Sequence, residues 1–92
     1  MATVLIPTPL RKFTNQSSKV TVMGNNVSEV ISNLVTEYPG IQKHLLDPTG
    51  TVRPFINIFV DEYDIRSLQH QNTQVGSYTT ISIIPAIAGG NF

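Results

Sequence analysis

The sequence predicts an α+β domain, a mixed sheet of about five strands with one main helix lying across one face. Three observations predict it. Short runs of apolar and β-branched residues recur along the chain. One longer stretch with a 3.6-residue apolar period separates the second run from the third. The 92 residues, 40% apolar and 13% charged, hold enough hydrophobic material for one core and too little chain for two.

Ala2 to Ile6 are mostly apolar and β-branched, and Pro7 and Pro9 close the segment because proline cannot donate to a sheet ladder, so this is the first strand. After a polar stretch around Thr14 to Ser18, Lys19-Val20-Thr21-Val22-Met23 alternates polar and apolar, which predicts a half-buried second strand and a first hairpin. Gly24-Asn25-Asn26 ends it, and Asn26 with Glu29 has the spacing of a helix-capping box. Val27, Val30, Ile31, Leu34, Val35 and Tyr38 then form one apolar helical face, which Pro39-Gly40 stops. The stretch from Ile41 to Arg53 carries Pro48 and Gly50 and no sustained period, so it reads as a loop with one helical turn at Gln42 to Leu46. Phe55 to Val60 is the strongest strand. Asp61-Glu62 followed by Tyr63-Asp64-Ile65-Arg66 predicts a tight turn into a short edge strand, and Tyr78 to Ile84 is a last strand ended by Pro85. That order is the order of a β-grasp, or ubiquitin-like, fold, in which the first and last strands lie side by side at the centre. Residues 1–86 are then the folded domain and residues 87–92 a flexible tail holding a Gly-Gly pair and a two-residue extension.

Composition excludes several functions. Six basic and six acidic side chains cancel, which removes the electrostatic stripe that binds nucleic acid. The absence of cysteine excludes disulfides, zinc-thiolate sites and cysteine nucleophiles. No basic leader with an apolar core opens the chain and no apolar run could span a bilayer, so a membrane is not expected and the cytoplasm is the default location. His44 and His70 have no second ligand at a metal-binding spacing, and no metal is expected. Asp61, Glu62 and Asp64 lack the glycine and terminal glutamate of a calcium loop and suit a polar turn. No serine lies in a nucleophile elbow. The sequence therefore shows no catalytic residue and calls for no cofactor; the protein is not expected to be an enzyme.

Pro85-Ala86-Ile87-Ala88-Gly89-Gly90-Asn91-Phe92 is uncharged. Gly-Gly pairs are commonly no more than loops or frayed ends. Here the pair follows a predicted strand, and Pro-Ala-Ile-Ala-Gly-Gly resembles the C-terminus of the ubiquitin-like sulfur-carrier (ThiS/MoaD-like) family. That family includes the small subunit of molybdopterin synthase and the carriers of thiamine and cysteine biosynthesis. The likeness is strongest to the carrier of cysteine biosynthesis and extends to Ile6-Pro7-Thr8 with Leu10-Arg11, Val30 to Leu34, Leu46-Asp47-Pro48, Phe55 to Val60, Asp64-Ile65-Arg66 and Ile83 to Gly90. It implies that an ATP-dependent, E1-like activating enzyme adenylates the carboxylate of Gly90 and that sulfur then replaces the adenylate to leave a thiocarboxylate. The implied acceptor is an aminoacrylate on a pyridoxal-phosphate (PLP)-dependent cysteine synthase. Active family members end at the second glycine, whereas Asn91 and Phe92 follow here. The resemblance therefore implies a precursor, cut between Gly90 and Asn91 by a metal-dependent (JAMM-type) peptidase. Without Cβ atoms, Gly89 and Gly90 suit threading into a narrow channel behind the small Ala88.

Strand periodicity points Ile56, Ile58 and Val60 toward the helix, and Phe55, Asn57 and Phe59 away from it. With the β-grasp strand order, Leu5, Phe59 and Ile84 become neighbours on the open face, a contiguous apolar patch suited to docking the activating enzyme and the peptidase. Alternatives within the same fold are a molybdopterin synthase small subunit, a ubiquitin-like modifier conjugated through Gly90, and an interaction domain whose glycines are only a loose end.

Overall fold

The structure is a computed structural model and describes residues 1–85. β1 (Ala2–Leu5) is followed by a 3₁₀ segment (Thr8–Phe13), β2 (Lys19–Val22), the helix α1 (Val27–Glu37), the short helix α2 (Gln42–Leu45), β3 (Ile56–Val60), β4 (Tyr63–Asp64) and β5 (Thr80–Pro85). The strand order in the single sheet is β2-β1-β5-β3-β4. β1 and β5 run parallel at its centre and every other pairing is antiparallel. The expected mixed sheet with one main helix is the one found.

The core lies between the sheet and α1. Val27, Val30, Ile31 and Leu34 of the helix are buried in one cluster with Ala2, Val4, Val22, Ile58, Val60, Ile81 and Ile83 of the strands, and Leu10, Ile41, Leu45 and Ile65 close its ends. Each buried Val, Leu and Ile side chain contributes about 1.5 to 3 kcal/mol on leaving water, and the alternation of buried and outward residues along every strand fixes which face does so. Asn26 caps α1 as expected, its Oδ1 accepting the Glu29 N–H at 2.8 Å. Glu29 returns the bond one residue early, with Oε1 accepting the N–H of Asn25 rather than that of the cap, at 2.9 Å.

Several boundaries differ from the sequence expectation. β1 and β2 pair antiparallel as the expected hairpin, but its connection holds a 3₁₀ segment from Thr8 to Phe13 that tucks Leu10 into the core. Prolines at its start suit a helical first turn, where the missing N–H has no partner to lose. Thr14 then seals the turn, its buried hydroxyl bonding the carbonyls of Arg11 and Ser17 at 3.2 and 3.0 Å. α1 stops at Glu37, with Tyr38 as its C-cap. β5 begins at Thr80 rather than Tyr78, which is 99% exposed, because Gly76 and Thr79 bond to each other and turn the chain just ahead of the strand. Pro85 joins β5 as its last residue, where a missing donor costs the ladder nothing.

Candidate functional site

α1 covers one face of the sheet and leaves the other open. Cross-strand register sets out the open face in rows. Leu5 lies opposite Lys19 on one side and Ser82 on the other; Ser82 lies opposite Phe59, and Phe59 opposite Asp64. Ile84 stands two residues further along β5, opposite Asn57.

The expected patch is thus kept on one face but arranged differently. Leu5 and Phe59 are not adjacent to each other, since Ser82 stands between them, and Ile84 meets both only diagonally. Strand order alone does not set register, and a β5 register two residues away would have put Ile84 where Ser82 stands. Ile84 is 47% exposed, whereas Leu5 and Phe59 are half-buried. Phe55, exposed at 62%, adds apolar surface just before β3, at the end of the sheet where β5 finishes.

Sequence reading missed the polar fixture beside Ile84. Arg66 Nη2 donates to Asn57 Oδ1 and to Asp64 Oδ2, both at 2.6 Å, and its Nε and backbone N–H also reach the Asp64 carboxylate. The side-chain bond from Arg66 holds the Asp64 carboxyl below its ordinary value and raises the guanidinium in turn. The sequence signal was Asn57 at an outward strand position with an Asp-x-Arg pair close behind it.

Two of the remaining polar candidates, Asp61 and His44, have structural partners. Asp61 takes the left-handed conformation of a tight turn and its Oδ1 accepts the Thr80 N–H at 3.1 Å. His44 stacks on Phe13 with ring centroids 4.7 Å apart, and His70 is exposed in a 3₁₀ turn. Among the described residues no group of three His, Cys, Asp or Glu side chains could hold a metal ion, and no helix is long and apolar enough to cross a membrane. Ala88, Gly89, Gly90 and Asn91, and the whole tail assigned to residues 87–92, lie outside the described residues.

A sheet ordered β2-β1-β5-β3-β4 under one helix defines a ubiquitin-like β-grasp protein. The chain belongs to the ThiS family, whose model matches residues 4–90. It is 38% identical over 90 residues to the sulfur carrier protein CysO of Mycobacterium tuberculosis, an alignment covering 96% of this chain and 97% of that one. Among solved structures it is similar to the CysO of Amycolatopsis orientalis in its complex with BexX (TM-score 0.89, 33% identity, 98% of this chain and 100% of that one). It is also similar to M. tuberculosis CysO (TM-score 0.87, 35% identity, 94% and 99%). The small archaeal modifier protein 1 of Methanosarcina acetivorans superposes with a TM-score of 0.86 at 22% identity, covering 97% of this chain and 95% of that one, a likeness of fold alone.

Proposed function

We propose that the chain is a sulfur carrier, a protein substrate for other enzymes rather than a catalyst, whose working group is the C-terminal carboxyl of Gly90. The observation that carries this reading is the family match over residues 4–90, which closes on the second glycine. Near-complete alignment with CysO at 38% identity supports it.

Three steps follow. Asn91 is joined to Gly90 by a peptide bond, so Gly90 has no carboxylate to activate until a peptidase hydrolyses that bond. A carboxylate oxygen of Gly90 then attacks the α-phosphorus of ATP on the activating enzyme and pyrophosphate departs. Hydrosulfide from a sulfide donor displaces AMP from the acyl-adenylate, and a thiocarboxylate remains. This thiocarboxylate would deliver sulfur to cysteine biosynthesis, through a PLP-dependent cysteine synthase. The open-face residues Leu5, Ser82, Phe59 and Ile84 serve as the surface on which the activating enzyme and the peptidase dock, while Ala88 and Gly89 thread the channel.

The test follows intact mass. Full-length chain and a form ending at Gly90 are incubated separately with an E1-like activating enzyme, ATP and sulfide. The shortened form should gain the mass difference between sulfur and oxygen and the full-length form should not. Equal conversion of the uncut form with Asn91 and Phe92 retained would overturn the reading. Covalent conjugates with other proteins in place of a thiocarboxylate would favour the modifier alternative.

A further inference from the structure

Although the chain is neutral overall, its charges are segregated along the strand direction. β1 and β5 are parallel, so the end of β1 and the end of β5 lie on the same edge of the sheet, and β3 starts there because Ile56 lies opposite Pro85. The basic side chains gather toward that edge, and Lys19 is among them because it stands opposite Leu5 at the end of β1. Arg11 folds back so that its Nε donates to the Ile6 carbonyl at 3.0 Å, just beyond β1. Lys12 places Nζ 5.3 Å from the centre of the Phe13 ring, which stacks on His44 beside Lys43. Arg53 Nε donates to the Lys43 carbonyl at 2.7 Å, and the Arg53 carbonyl accepts the N–H of Ile56 at 3.0 Å. Arg66 is clamped to Asn57, opposite Ile84.

Two of the acidic groups near this edge are already engaged. Asp64 is ion-paired to Arg66 at 2.6 Å. Asp47 Oδ1 accepts the N–H and hydroxyl of Thr49 and the N–H of Thr51. Three of the other carboxylates lie at the opposite edge. Asp61 bonds Thr80, the first residue of β5, with Glu62 beside it in the same turn, and Glu29 bonds Asn25, whose carbonyl accepts the N–H of Val75 in the loop leading into β5. Glu37 lies near Lys19, which stands opposite Leu5, so this one carboxylate belongs to the cationic edge and is outnumbered there. The edge where β5 finishes is therefore cationic, and among the described residues neither Nη of Arg11 nor of Arg53 has a hydrogen-bond partner. An open groove of about 530 Å³ beside it is lined by Phe13, Leu46 and Pro48 together with Lys43, Arg53 and the engaged Asp47.

We propose that this cationic edge is an orienting surface for a protein partner that takes up the tail, and that the partner presents carboxylates around the mouth of its channel. This rests on the sulfur-carrier reading. Arg11 and Arg53 are held by their Nε bonds and thus present fixed charge at low cost in side-chain entropy on binding, whereas the charge of Arg66 is offset by Asp64. Complementary charge mainly accelerates association and fixes orientation, and it weakens as salt rises. A carrier visited by several enzymes in turn gains by arriving tail first and leaving quickly.

The experiment measures association of the Gly90-ending chain with the activating enzyme by stopped flow at low and high NaCl, with thiocarboxylate formation followed by mass in parallel. Lys12→Glu with Lys43→Glu reverses charge without removing an arginine bond to the backbone, and Glu62→Lys is the control at the far edge. The double reversal should slow association at low salt roughly tenfold or more, the gap should close at high salt, and Glu62→Lys should leave the rate unchanged or raise it. Thermal melts show that each variant is folded. If the unmodified chain is converted but the two edges behave alike, or the gap ignores salt, the cationic edge is not an orienting surface. A chain neither bound nor converted takes the sulfur-carrier reading down and this inference with it. Binding to single-stranded RNA or phosphatidylserine vesicles more tightly than to the enzyme would also overturn it.

Discussion

Leu5 and Phe59 face each other across Ser82. β1 runs parallel and β3 antiparallel to β5, and the two registers bring both outward apolar side chains opposite that one serine. The central residue of the open face is thus small and half-buried, with a larger apolar group on each side and exposed Ile84 two residues along the strand. A docking partner that covers this face has to close over Ser82.

Ser82→Arg should therefore weaken binding of the activating enzyme tenfold or more, about 1.4 kcal/mol, while an outward substitution leaves stability within roughly 0.5 kcal/mol. Phe59→Ala should cost on the order of 1 to 3 kcal/mol of binding if the ring is an interface anchor. Its effect on melting should be much smaller than that of Ile58→Ala, since Ile58 is 1% exposed in the core and deleting it should cost about 2 to 5 kcal/mol. Calorimetric titration and thermal melts of the three variants separate the cases; a melting loss for Phe59→Ala matching that for Ile58→Ala makes the ring a structural residue.

The β2–α1 turn should be sensitive at two positions for different reasons. Asn26→Ala removes the acceptor for the Glu29 N–H and should cost about 1 kcal/mol. Gly24 has φ +153°, and a Cβ there would sit 2.7 Å from both Cγ2 and the backbone nitrogen of Val30. Gly24→Ala must then push the start of α1 away and should cost on the order of 2 kcal/mol or more. Gly76 offers a contrast, because its nearest added contact is Thr79 Oγ1 at 3.9 Å. Urea unfolding should rank Gly24→Ala as most damaging and Gly76→Ala as neutral or mildly stabilising.

Element order and strand phase were legible because they rest on local signals: β-branched alternation in β2, β3 and β5, the 3.6-residue period from Val27 to Tyr38, and the Asn26 cap. Register was not. It is set by long-range pairing, so that Ser82 rather than Ile84 fell between Leu5 and Phe59. The 3₁₀ segment at Thr8–Phe13 was also hidden, because Pro7 and Pro9 read as strand terminators and Leu10 is too isolated to show a period. Charge segregation escaped composition altogether, since six cations and six anions sum to zero however the fold distributes them. Gly90 was singled out by its motif alone, and it lies outside the described residues.

Acid should reveal how two carboxylates stabilise the fold by different means. Asp47 lies below its ordinary value of 3.8 because the Thr49 hydroxyl and the Thr51 and Thr49 N–H groups donate to it. Asp64 is lowered chiefly by Arg66. A carboxyl whose folded value is depressed releases its proton more readily in the folded chain than in the unfolded one, so its stabilisation is present above the unfolded value and disappears as pH falls through the folded value. Melting temperature should accordingly rise with pH from about 2 to about 5 and then level off, and the double variant Asp47→Asn with Asp64→Asn should show a shallower rise. Salt should tell the two apart. Arg66 is 59% exposed, so its pair with Asp64 is screened at high ionic strength. The donors on Asp47 are neutral and their bonds should persist. In concentrated NaCl, Asp64→Asn should thus become nearly silent above pH 5 while Asp47→Asn still lowers the melting temperature, and equal loss of both effects would mean that Asp47 is held by the charge of Arg53 rather than by its threonines.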